Sequence, residues 1–259
     1  MDTSFPKKSL GQHWLHDEAS LQAMCAAAEV ADSDTILEIG PGLGTLTQLL
    51  VARARHVVAV EFDKDLAMYL PGRVSADNLT VVQQDIRTFD LTKLEPDYKV
   101  VANIPYYLTS NLIRVLSEST NPPSLTVLLV QKEVAERVAA GPGAMSLLTV
   151  TAQIYWEVSL GAIVSAELFT PPPKIDSQIL ILHRRPKPLF PGADYQAIFQ
   201  IVKAGFSQRR KTLLNSLSAG LQRSREDVLA ILERTGIDPG ARAQTLSLAQ
   251  WHALYKELK

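Results

Sequence analysis

The sequence predicts an α/β fold, in which a mostly parallel β-sheet carries helices on both faces and is followed by a small all-helical domain. Three observations support this prediction. Short apolar runs of β-type composition alternate with helical segments through the first two thirds of the chain. A glycine-rich turn follows the first of these runs, and four helical segments without strands end the sequence. A proline-rich break at residues 186–192 separates the two parts, so we expect domains at residues 1–185 and 186–259.

The elements of the first domain follow from local patterns. Asp17 and Glu18 suit the positive end of a helix, which is expected at residues 17–29. Apolar runs predict strands at residues 35–39, 57–60, 79–82, 98–102, 125–130, 147–158 and 178–182. Helical periodicity predicts helices at residues 45–54, 109–117 and 131–140. The proline-rich run at residues 169–177 is predicted to be a stiff loop near a functional site. The alternative is that it serves only as a rigid linker.

The second domain contains four predicted helices, at residues 194–204, 208–221, 225–235 and 247–258. Arg209, Arg210 and Lys211 lie at the predicted start of the second of them. Cations at that position oppose the helix dipole unless an anion lies opposite. We therefore predict contacts between these three residues and phosphate groups; the alternative is an ordinary solvated helix face.

The composition is that of a globular protein. Of the 259 residues, 46% are hydrophobic and 20% are charged, which are ordinary fractions. No apolar run approaches the roughly 20 residues that cross a bilayer, and no secretory signal is visible. Cys25 is the only cysteine and the five histidines form no ligand motif, so we expect no disulfide and no metal. We expect a cytoplasmic protein that makes no membrane contact and is a monomer.

Charge is distributed unevenly along the chain. Residues 183–225 contain nine Lys or Arg and one acidic residue, whereas residues 1–182 contain 13 basic and 21 acidic residues. A basic segment next to an acidic domain is typical of a surface that faces a polyanion.

Polar residues and glycines stand at the ends of the first three predicted strands. Gly40 and Gly42 follow the first strand and let the backbone approach a ligand closely. Glu61 ends the second strand, where an acidic side chain can accept hydrogen bonds from both ribose hydroxyls. Asp85 follows the third strand and can accept from the amine of an adenine that lies across the sheet edge. These residues predict a cofactor with a ribose and an adenine, which S-adenosylmethionine satisfies; the glycine spacing is a weak match to dinucleotide sites.

The fourth strand ends in Asn103-Ile104-Pro105-Tyr106, which we predict to be the catalytic segment. The Asn103 side-chain oxygen and the Ile104 carbonyl can accept the two N–H bonds of an exocyclic base amine and help localise its lone pair. Pro105 has no N–H and adds no competing donor. Tyr106 can stack on the base, which contributes roughly 1–3 kcal/mol, and Phe169 is expected to cover the other face. Taken alone, the segment also suits an ordinary turn after a strand.

Six motifs are spread in order along nearly the whole chain: Gly11–Leu15, Glu38–Gly42, Asn103–Tyr106, Gln131–Arg137, Phe169–Ser177 and Phe206–Leu213. Together they resemble the KsgA/RsmA family of small-subunit (16S) rRNA adenine N6-dimethyltransferases. The chain departs from the family at Trp14, where Phe is usual, at His13, where Asn is frequent, and near Met145, where a Tyr-Gly-Arg element is absent.

The resemblance implies a Rossmann-like, S-adenosylmethionine-dependent methyltransferase sheet and a C-terminal helical domain that binds RNA or the ribosomal subunit. It implies dimethylation of two adjacent adenosines in the 3′-terminal hairpin loop of 16S rRNA, late in small-subunit assembly. Asn103 to Tyr106 is the family's catalytic motif. The residues that correspond to its cofactor contacts are His13, Leu15, Gly40, Glu61, Asp85 and Asn103.

Two other functions stay open at this point. A large-subunit rRNA adenine methyltransferase of the macrolide-resistance type has a similar core, and a mainly non-catalytic ribosome assembly factor would keep the same fold. The segments 169–177 and 208–213 favour the small-subunit enzyme. The complete set of Glu61, Asp85 and Asn103 favours catalysis.

Overall fold

The structure, a computed structural model, describes Lys7, residues 10–187 and residues 189–259. The chain divides into two compact units. Unit 1 contains the chain up to Ala135 together with Glu157–Arg184, and unit 2 contains Glu136–Trp156 together with Arg185–Lys259. Within the described ranges, no helix combines the length and the apolar character that a membrane span requires.

The elements alternate between strand and helix along unit 1 and are mostly helical in unit 2. The strands are β1 (Trp14–Leu15), β2 (Thr35–Ile39), β3 (His56–Glu61), β4 (Leu79–Gln83), β5 (Lys99–Asn103), β6 (Leu125–Gln131), β7 (Trp156–Val164), β8 (Phe169–Thr170) and β9 (Ser177–Arg184). The helices are α1 (Glu18–Ala27), α2 (Thr45–Val51), α3 (Lys64–Arg73), α4 (Thr109–Glu118), α5 (Lys132–Ala139), α6 (Leu147–Tyr155), α7 (Tyr195–Phe206), α8 (Leu213–Leu221), α9 (Arg225–Arg234) and α10 (Leu248–Leu258).

Seven strands form the central sheet in the order β4-β3-β2-β5-β6-β9-β7. The first five strands in this order are parallel, and β9 runs antiparallel to β6. The chain builds outward from β2 to β4 and then returns to β5 on the other side of β2. The strand order therefore reverses between β2 and β5, and in open α/β sheets ligands bind in the crevice at such a point. The predicted α/β fold class is confirmed.

The core of unit 1 explains why the sheet strands are apolar runs without alternation. Every residue of β2 is buried. Leu21 and Met24 of α1 pack in one cluster with Ile36 of β2 and Val101 of β5. Because a parallel sheet is covered on both faces, its strands must be apolar on both faces.

A two-stranded ribbon, formed by β1 and β8, pairs the N-terminal segment with the proline-rich segment. In this antiparallel pair, Trp14 lies opposite Thr170 and Leu15 lies opposite Phe169. Leu15 and Phe169 are 1% and 2% exposed, and both belong to the core of unit 1. The ribbon therefore holds Trp14 and Leu15 against the main body of the unit.

Unit 2 packs its helices around Trp251, which is 1% exposed and lies in one core cluster with Ile198, Val202 and Leu217. Helices α7 and α10 approach closely because Gly205 has no side chain: a Cβ there would lie 2.5 Å from the Trp251 ring. The predicted C-terminal helical region is present, and α8 begins at Leu213, five residues later than predicted.

The strand predicted at residues 147–158 is wrong, because residues 147–155 form helix α6. Ser146 and Thr149 form a capping box in which each side chain accepts a hydrogen bond from the other's backbone N–H, at 3.1 and 2.9 Å. Val150 and Ile154, four residues apart, are both buried. A good cap and one buried helical face thus outweigh the β-branched composition of the segment, and the strand begins at Trp156.

The division into units also differs from the predicted boundary at residue 185. Residues 136–156 belong with the C-terminal helices in unit 2. The reason is packing, since Met145, Val150 and Ile154 are part of the same core cluster as Ile198 and Val202.

Candidate active site

A pocket opens at the carboxyl ends of β2, β3 and β5, at the reversal of strand order in unit 1. Its walls come from the N-terminal segment, the glycine-rich turn after β2, the segments after β3 and β4, and the turn after β5. The lining includes all of the predicted cofactor and catalytic residues: His13, Leu15, Gly40, Gly42, Glu61, Asp85, Asn103, Ile104, Pro105 and Tyr106. The residues predicted from the sequence therefore lie together in one place, although their individual roles stay predictions.

The glycine-rich turn presents bare backbone to this pocket. Gly40, Gly42 and Gly44 all have positive φ angles, of 69°, 57° and 85°, in the region that other residues rarely adopt. A Cβ at Gly40 would meet no atom within 4 Å, and one at Gly42 would meet the Trp14 ring at 3.5 Å. The turn therefore lies open to a ligand at Gly40 and is closed by Trp14 at Gly42.

Glu61 is held rigidly at the end of β3. Its side chain accepts hydrogen bonds from the backbone N–H of Gly42 at 3.2 Å and of Asp63 at 2.8 Å. The residue is 6% exposed, and this burial raises the pKa of its carboxyl group. Two backbone donors thus fix the orientation of a carboxylate whose remaining capacity to accept hydrogen bonds faces the pocket.

Asp85, after β4, is paired with Arg87. The guanidinium group of Arg87 donates to both carboxylate oxygens, at 3.0 Å to Oδ1 and at 2.5 Å to Oδ2, and the Arg87 backbone N–H donates at 2.9 Å. These hydrogen bonds lower the pKa of Asp85, so the group is an ionised acceptor at neutral pH.

Asn103 ends β5 and is oriented by the N-terminal segment. Its amide nitrogen donates to the backbone carbonyl of His13 at 3.3 Å. This contact uses the donor side of the amide and leaves the side-chain oxygen as the group that can accept from a ligand.

Tyr106 begins the one-turn 3₁₀ helix Tyr106–Leu108 that follows Pro105. Its hydroxyl group is hydrogen-bonded to that of Ser177 at 2.9 Å, and its ring stacks on the ring of His13 with 5.9 Å between centroids. Within the turn, the carbonyls of Pro105 and Tyr106 accept from the Leu108 backbone and the Thr109 hydroxyl, each at 3.0 Å. The turn is thus stabilised by internal hydrogen bonds while the Tyr106 ring borders the pocket.

Glu38 is a pocket residue that the sequence analysis did not single out. It lies on β2, is 1% exposed and has a side-chain oxygen, Oε2, without a hydrogen-bond partner among the described residues. Burial, together with the charge of Glu61, raises the pKa of Glu38 to about 8. A signal was present, because an acidic residue in the middle of a buried apolar strand is unusual.

Phe169 does not line the pocket, and the prediction that it covers one face of a base is not supported. Its side chain is 2% exposed and packs in the core of unit 1. The reason is its place in β8, where it pairs with Leu15 of β1 and points into the core with it. Arg209, Arg210 and Lys211 lie in unit 2, where they are exposed in the turn between α7 and α8.

The described residues contain no cluster of three or more His, Cys, Asp or Glu side chains suited to a metal ion. The polar groups of the pocket are instead carboxylates, the amides of Gln12, Gln84 and Asn103, Arg87 paired with Asp85, and backbone groups, together with the rings of Trp14 and Tyr106. This set suits a neutral or cationic organic ligand that carries hydroxyl and amine donors.

Comparison with known proteins agrees with this description. The sequence profile of the family described as ribosomal RNA adenine dimethylase matches residues 4–259. The ribosomal RNA small subunit methyltransferase A of Dehalococcoides mccartyi is 40% identical over 252 residues, which are 96% of this chain and 87% of that protein. The protein of the same name from Streptococcus pneumoniae is 38% identical over 98% of this chain and 92% of its own length.

Two solved structures are similar over almost the whole chain. A dimethyladenosine transferase from Plasmodium falciparum has a TM-score of 0.78 at 27% identity and covers 93% of this chain and 96% of its own. The 23S rRNA methyltransferase ErmE has a TM-score of 0.74 at 31% identity and covers 95% and 99%. The family match and the identities to relatives extend through both units. The chain therefore belongs to the ribosomal RNA adenine dimethylase family.

Proposed function

We propose that this protein uses S-adenosylmethionine to dimethylate N6 of two adjacent adenosines in the 3′-terminal hairpin loop of 16S rRNA, late in the assembly of the small ribosomal subunit. The observation that carries the proposal is the placement of Asn103–Tyr106 at the strand-order reversal, with the Asn103 amide nitrogen engaged by His13 and its oxygen left to accept. Identity of 38–40% to small-subunit methyltransferases A supports the choice of substrate.

The pocket residues fit S-adenosylmethionine. Glu61, fixed by two backbone donors, is placed to accept from the ribose hydroxyls. Asp85, kept ionised by Arg87, is placed to accept from the adenine amine. Gly40 leaves open space for the ligand, and the unpaired oxygen of Glu38 is a buried hydrogen-bonding group in the same wall. When bound, S-adenosylmethionine supplies an electrophilic methyl group.

The residues of the chain then act on the target amine by position. The adenine amine is a weak nucleophile because its lone pair is delocalised into the ring. In the first transfer, the Asn103 oxygen and the Ile104 carbonyl accept the two N–H bonds of the amine and favour a localised lone pair. In the second transfer, one N–H bond remains for these acceptors. The contribution is one of orientation and of fixed dipoles. The proton that the amine loses in each transfer passes to solvent, so no side chain is assigned as a general base.

The target base must leave its loop to reach this pocket, which costs least for an unpaired base. Tyr106 offers one ring face to it, and Ser177 holds the hydroxyl group at the far end of that ring. The exposed cations Arg209, Arg210 and Lys211 of unit 2 are proposed to contact RNA phosphates.

Methylation of large-subunit rRNA is the second candidate, because the chain shares 31% identity and its fold with the 23S rRNA methyltransferase ErmE. The higher identity to the small-subunit enzymes makes it the weaker of the two.

The test is tritiated methyl transfer from S-adenosylmethionine to small subunits that lack the modification, with large subunits assayed in parallel. The labelled rRNA is digested and analysed for N6,N6-dimethyladenosine. Dimethyladenosine in the small subunit alone is the expected result. Label confined to the large subunit would support the second candidate, methylation of large-subunit rRNA. Tight binding to the small subunit without label would indicate a non-catalytic assembly factor.

A further inference from the structure

His13 contacts the proline-rich segment and two residues of the pocket. Its ring nitrogen Nδ1 lies 2.7 Å from the carbonyl oxygen of Pro171 in the proline-rich segment. Its ring stacks on Tyr106 with an interplanar angle of 17°. Its own backbone carbonyl accepts from the Asn103 amide at 3.3 Å. One residue thus meets both side chains that the proposed reaction needs at the target amine.

The contact with Pro171 fixes the orientation of the imidazole ring. A backbone carbonyl can only accept a hydrogen bond, so Nδ1 must carry a proton and donate it. The donor direction lies in the plane of the ring. The hydrogen bond therefore sets the ring plane, and with it the plane against which Tyr106 packs.

The geometry of the ring pair shows which face of Tyr106 remains for a base. Two rings that enclose a third must be about 7 Å apart, twice the optimal contact distance between carbon atoms. The centroids of His13 and Tyr106 are 5.9 Å apart, so this gap does not admit a base. The target must therefore stack on the part of the Tyr106 ring that His13 does not border. Ser177, which is fully buried, holds the Tyr106 hydroxyl group and restrains the ring from its other end.

The contact between the His13 carbonyl and Asn103 sets the orientation of the Asn103 amide, the group that accepts from the target amine. An asparagine amide can rotate by 180° and exchange its oxygen with its nitrogen. Because the His13 carbonyl accepts only, it selects the rotamer in which the nitrogen points to His13 and the oxygen remains for the target amine. The same backbone segment is tethered through the His13 ring to Pro171.

We propose that His13 is a positioning residue for the transfer step, which sets the Tyr106 ring and the Asn103 amide for the target adenine. The inference rests on the proposed function, because it assigns His13 a task in that reaction beyond its predicted contact with the cofactor. Loss of the His13 side chain should therefore lower turnover much more than it lowers affinity for S-adenosylmethionine.

Three substitutions separate the contacts. His13→Asn places an amide nitrogen where Nδ1 stands, which preserves the donor to Pro171 and removes the ring. His13→Phe keeps a ring against Tyr106 and removes the donor. His13→Ala removes both. His16→Asn is the matched control, because it makes the same chemical change three residues away. His16 is exposed and lies outside the pocket lining.

The readouts are kcat and KM for methylation of small subunits, and the Kd of S-adenosylmethionine by calorimetry, after thermal unfolding has shown that each variant is folded. We expect kcat to fall roughly three- to tenfold in His13→Asn, as the loss of one aromatic pair predicts. The fall should be similar or smaller in His13→Phe and largest in His13→Ala. The fold increase in Kd should be smaller than the fold decrease in kcat, and the His16 control should match the wild type in kcat.

Unchanged kcat in all three His13 variants would overturn the inference. So would a loss confined to the Kd of S-adenosylmethionine, which would make His13 a cofactor contact alone. Failure of the proposed function looks different, since wild-type protein would then leave small subunits unlabelled in the same assay. If kcat is higher in His13→Asn or His13→Phe than in His13→Ala, the result supports positioning. A general loss of folding would not depend on whether the donor to Pro171 or the ring against Tyr106 is retained.

Discussion

Asn103 is the residue on which the proposed chemistry depends most directly. Its amide nitrogen is engaged by the His13 carbonyl, so its oxygen is pre-oriented before a target arrives. A pre-oriented acceptor contributes more to a transition state than one that must be ordered during the reaction.

Replacing Asn103 with alanine should lower kcat for methyl transfer by about a hundredfold or more, since removal of one such group from an active site has effects on the order of 10²–10³. The side chain is only half-buried and should not be required for folding. Tritiated methyl transfer and thermal unfolding measure the two effects. Asn111→Ala, an amide on α4 outside the pocket lining, is the control that should keep normal turnover. Near-normal turnover of Asn103→Ala would contradict the catalytic assignment.

Glu38 shows what a buried carboxyl group does to stability. Burial raises its pKa from 4.5 to about 8. A carboxyl group whose pKa is raised in the folded state binds its proton more tightly there than in the unfolded chain. Its stabilising contribution is therefore complete below pH 4.5 and is lost as the pH rises through about 8.

We therefore expect the free energy of unfolding to decrease between about pH 5 and pH 8.5, the window set by these two pKa values, and we expect Glu38→Gln to remove much of that decrease. Glutamine resembles the protonated carboxyl group and stays neutral at every pH. Thermal and urea unfolding across this pH range measure the slope. The exposed Glu18→Gln should keep the slope of the wild type. A slope that is identical in Glu38→Gln and wild type would exclude Glu38 as its source.

At the scale of elements, the glycine-rich turn joins β2 to α2 and packs against α3. Gly44 has a φ angle of 85°, and a Cβ there would lie 2.8 Å from Leu70 and 2.9 Å from Val74. Both the backbone conformation and the space therefore require glycine at this position.

Gly44→Ala should destabilise unit 1 by about 1–3 kcal/mol, through backbone strain and overpacking. Gly72→Ala is the matched control on α3, because a Cβ at Gly72 would meet no atom within 4 Å and its φ angle is not positive. That substitution should be neutral or stabilise by up to about 1 kcal/mol, because alanine favours the helix. Urea unfolding of both variants gives the comparison. Equal stabilities would show that the turn tolerates a side chain at Gly44.

The same scale shows which elements local sequence can predict. The parallel strands were predicted nearly to the residue, because in β2, β3, β5 and β6 burial on both faces leaves an almost unbroken apolar run. Helix α3 was not assigned, since Pro71 and Gly72 near its end resemble a loop. Residues 147–155 were assigned as a strand, because their β-branched composition concealed the capping box at Ser146.

The sequence predicts which of the candidate residues lie close together better than it predicts the contacts between them. Glu61, Asp85 and Asn103 follow strands whose ends must meet at one sheet edge, so their proximity follows from topology. The contact from His13 to Pro171 spans 158 residues and depends on the β1–β8 ribbon. No local sequence pattern predicts that ribbon, because its two strands are far apart in the sequence. The sequence therefore does not predict the burial of Phe169 within it either.

At the scale of the whole molecule, each of the two units consists of two separate stretches of the chain, unlike the continuous domains predicted from the sequence. Residues 136–156 join the C-terminal helices because Met145, Val150 and Ile154 complete their core. Such long-range packing is a property of the assembled fold. The charge asymmetry, in contrast, was visible directly in the sequence, and its cations at residues 209–211 are exposed in the turn between α7 and α8.

These three cations provide the last prediction. Arg209, Arg210 and Lys211 form no ion pair with any other described residue, so their charges remain available to phosphates. Changing all three to glutamine should weaken binding of the small-subunit rRNA hairpin and make log Kd less dependent on log salt concentration. With about 0.7–0.9 counterions released per phosphate contact, the slope should flatten by about two to three.

The measurement is a series of binding titrations between about 50 and 300 mM salt, a range over which such contacts lose orders of magnitude in affinity. The matched control neutralises Arg242, Lys256 and Lys259, which are exposed on unit 2 outside the basic segment and give the same change in net charge. A local phosphate-binding turn predicts a flattened slope only in the first variant. An equal change in both variants would mean that net charge alone attracts the RNA, and an unchanged slope in the first variant would remove these residues from the interface.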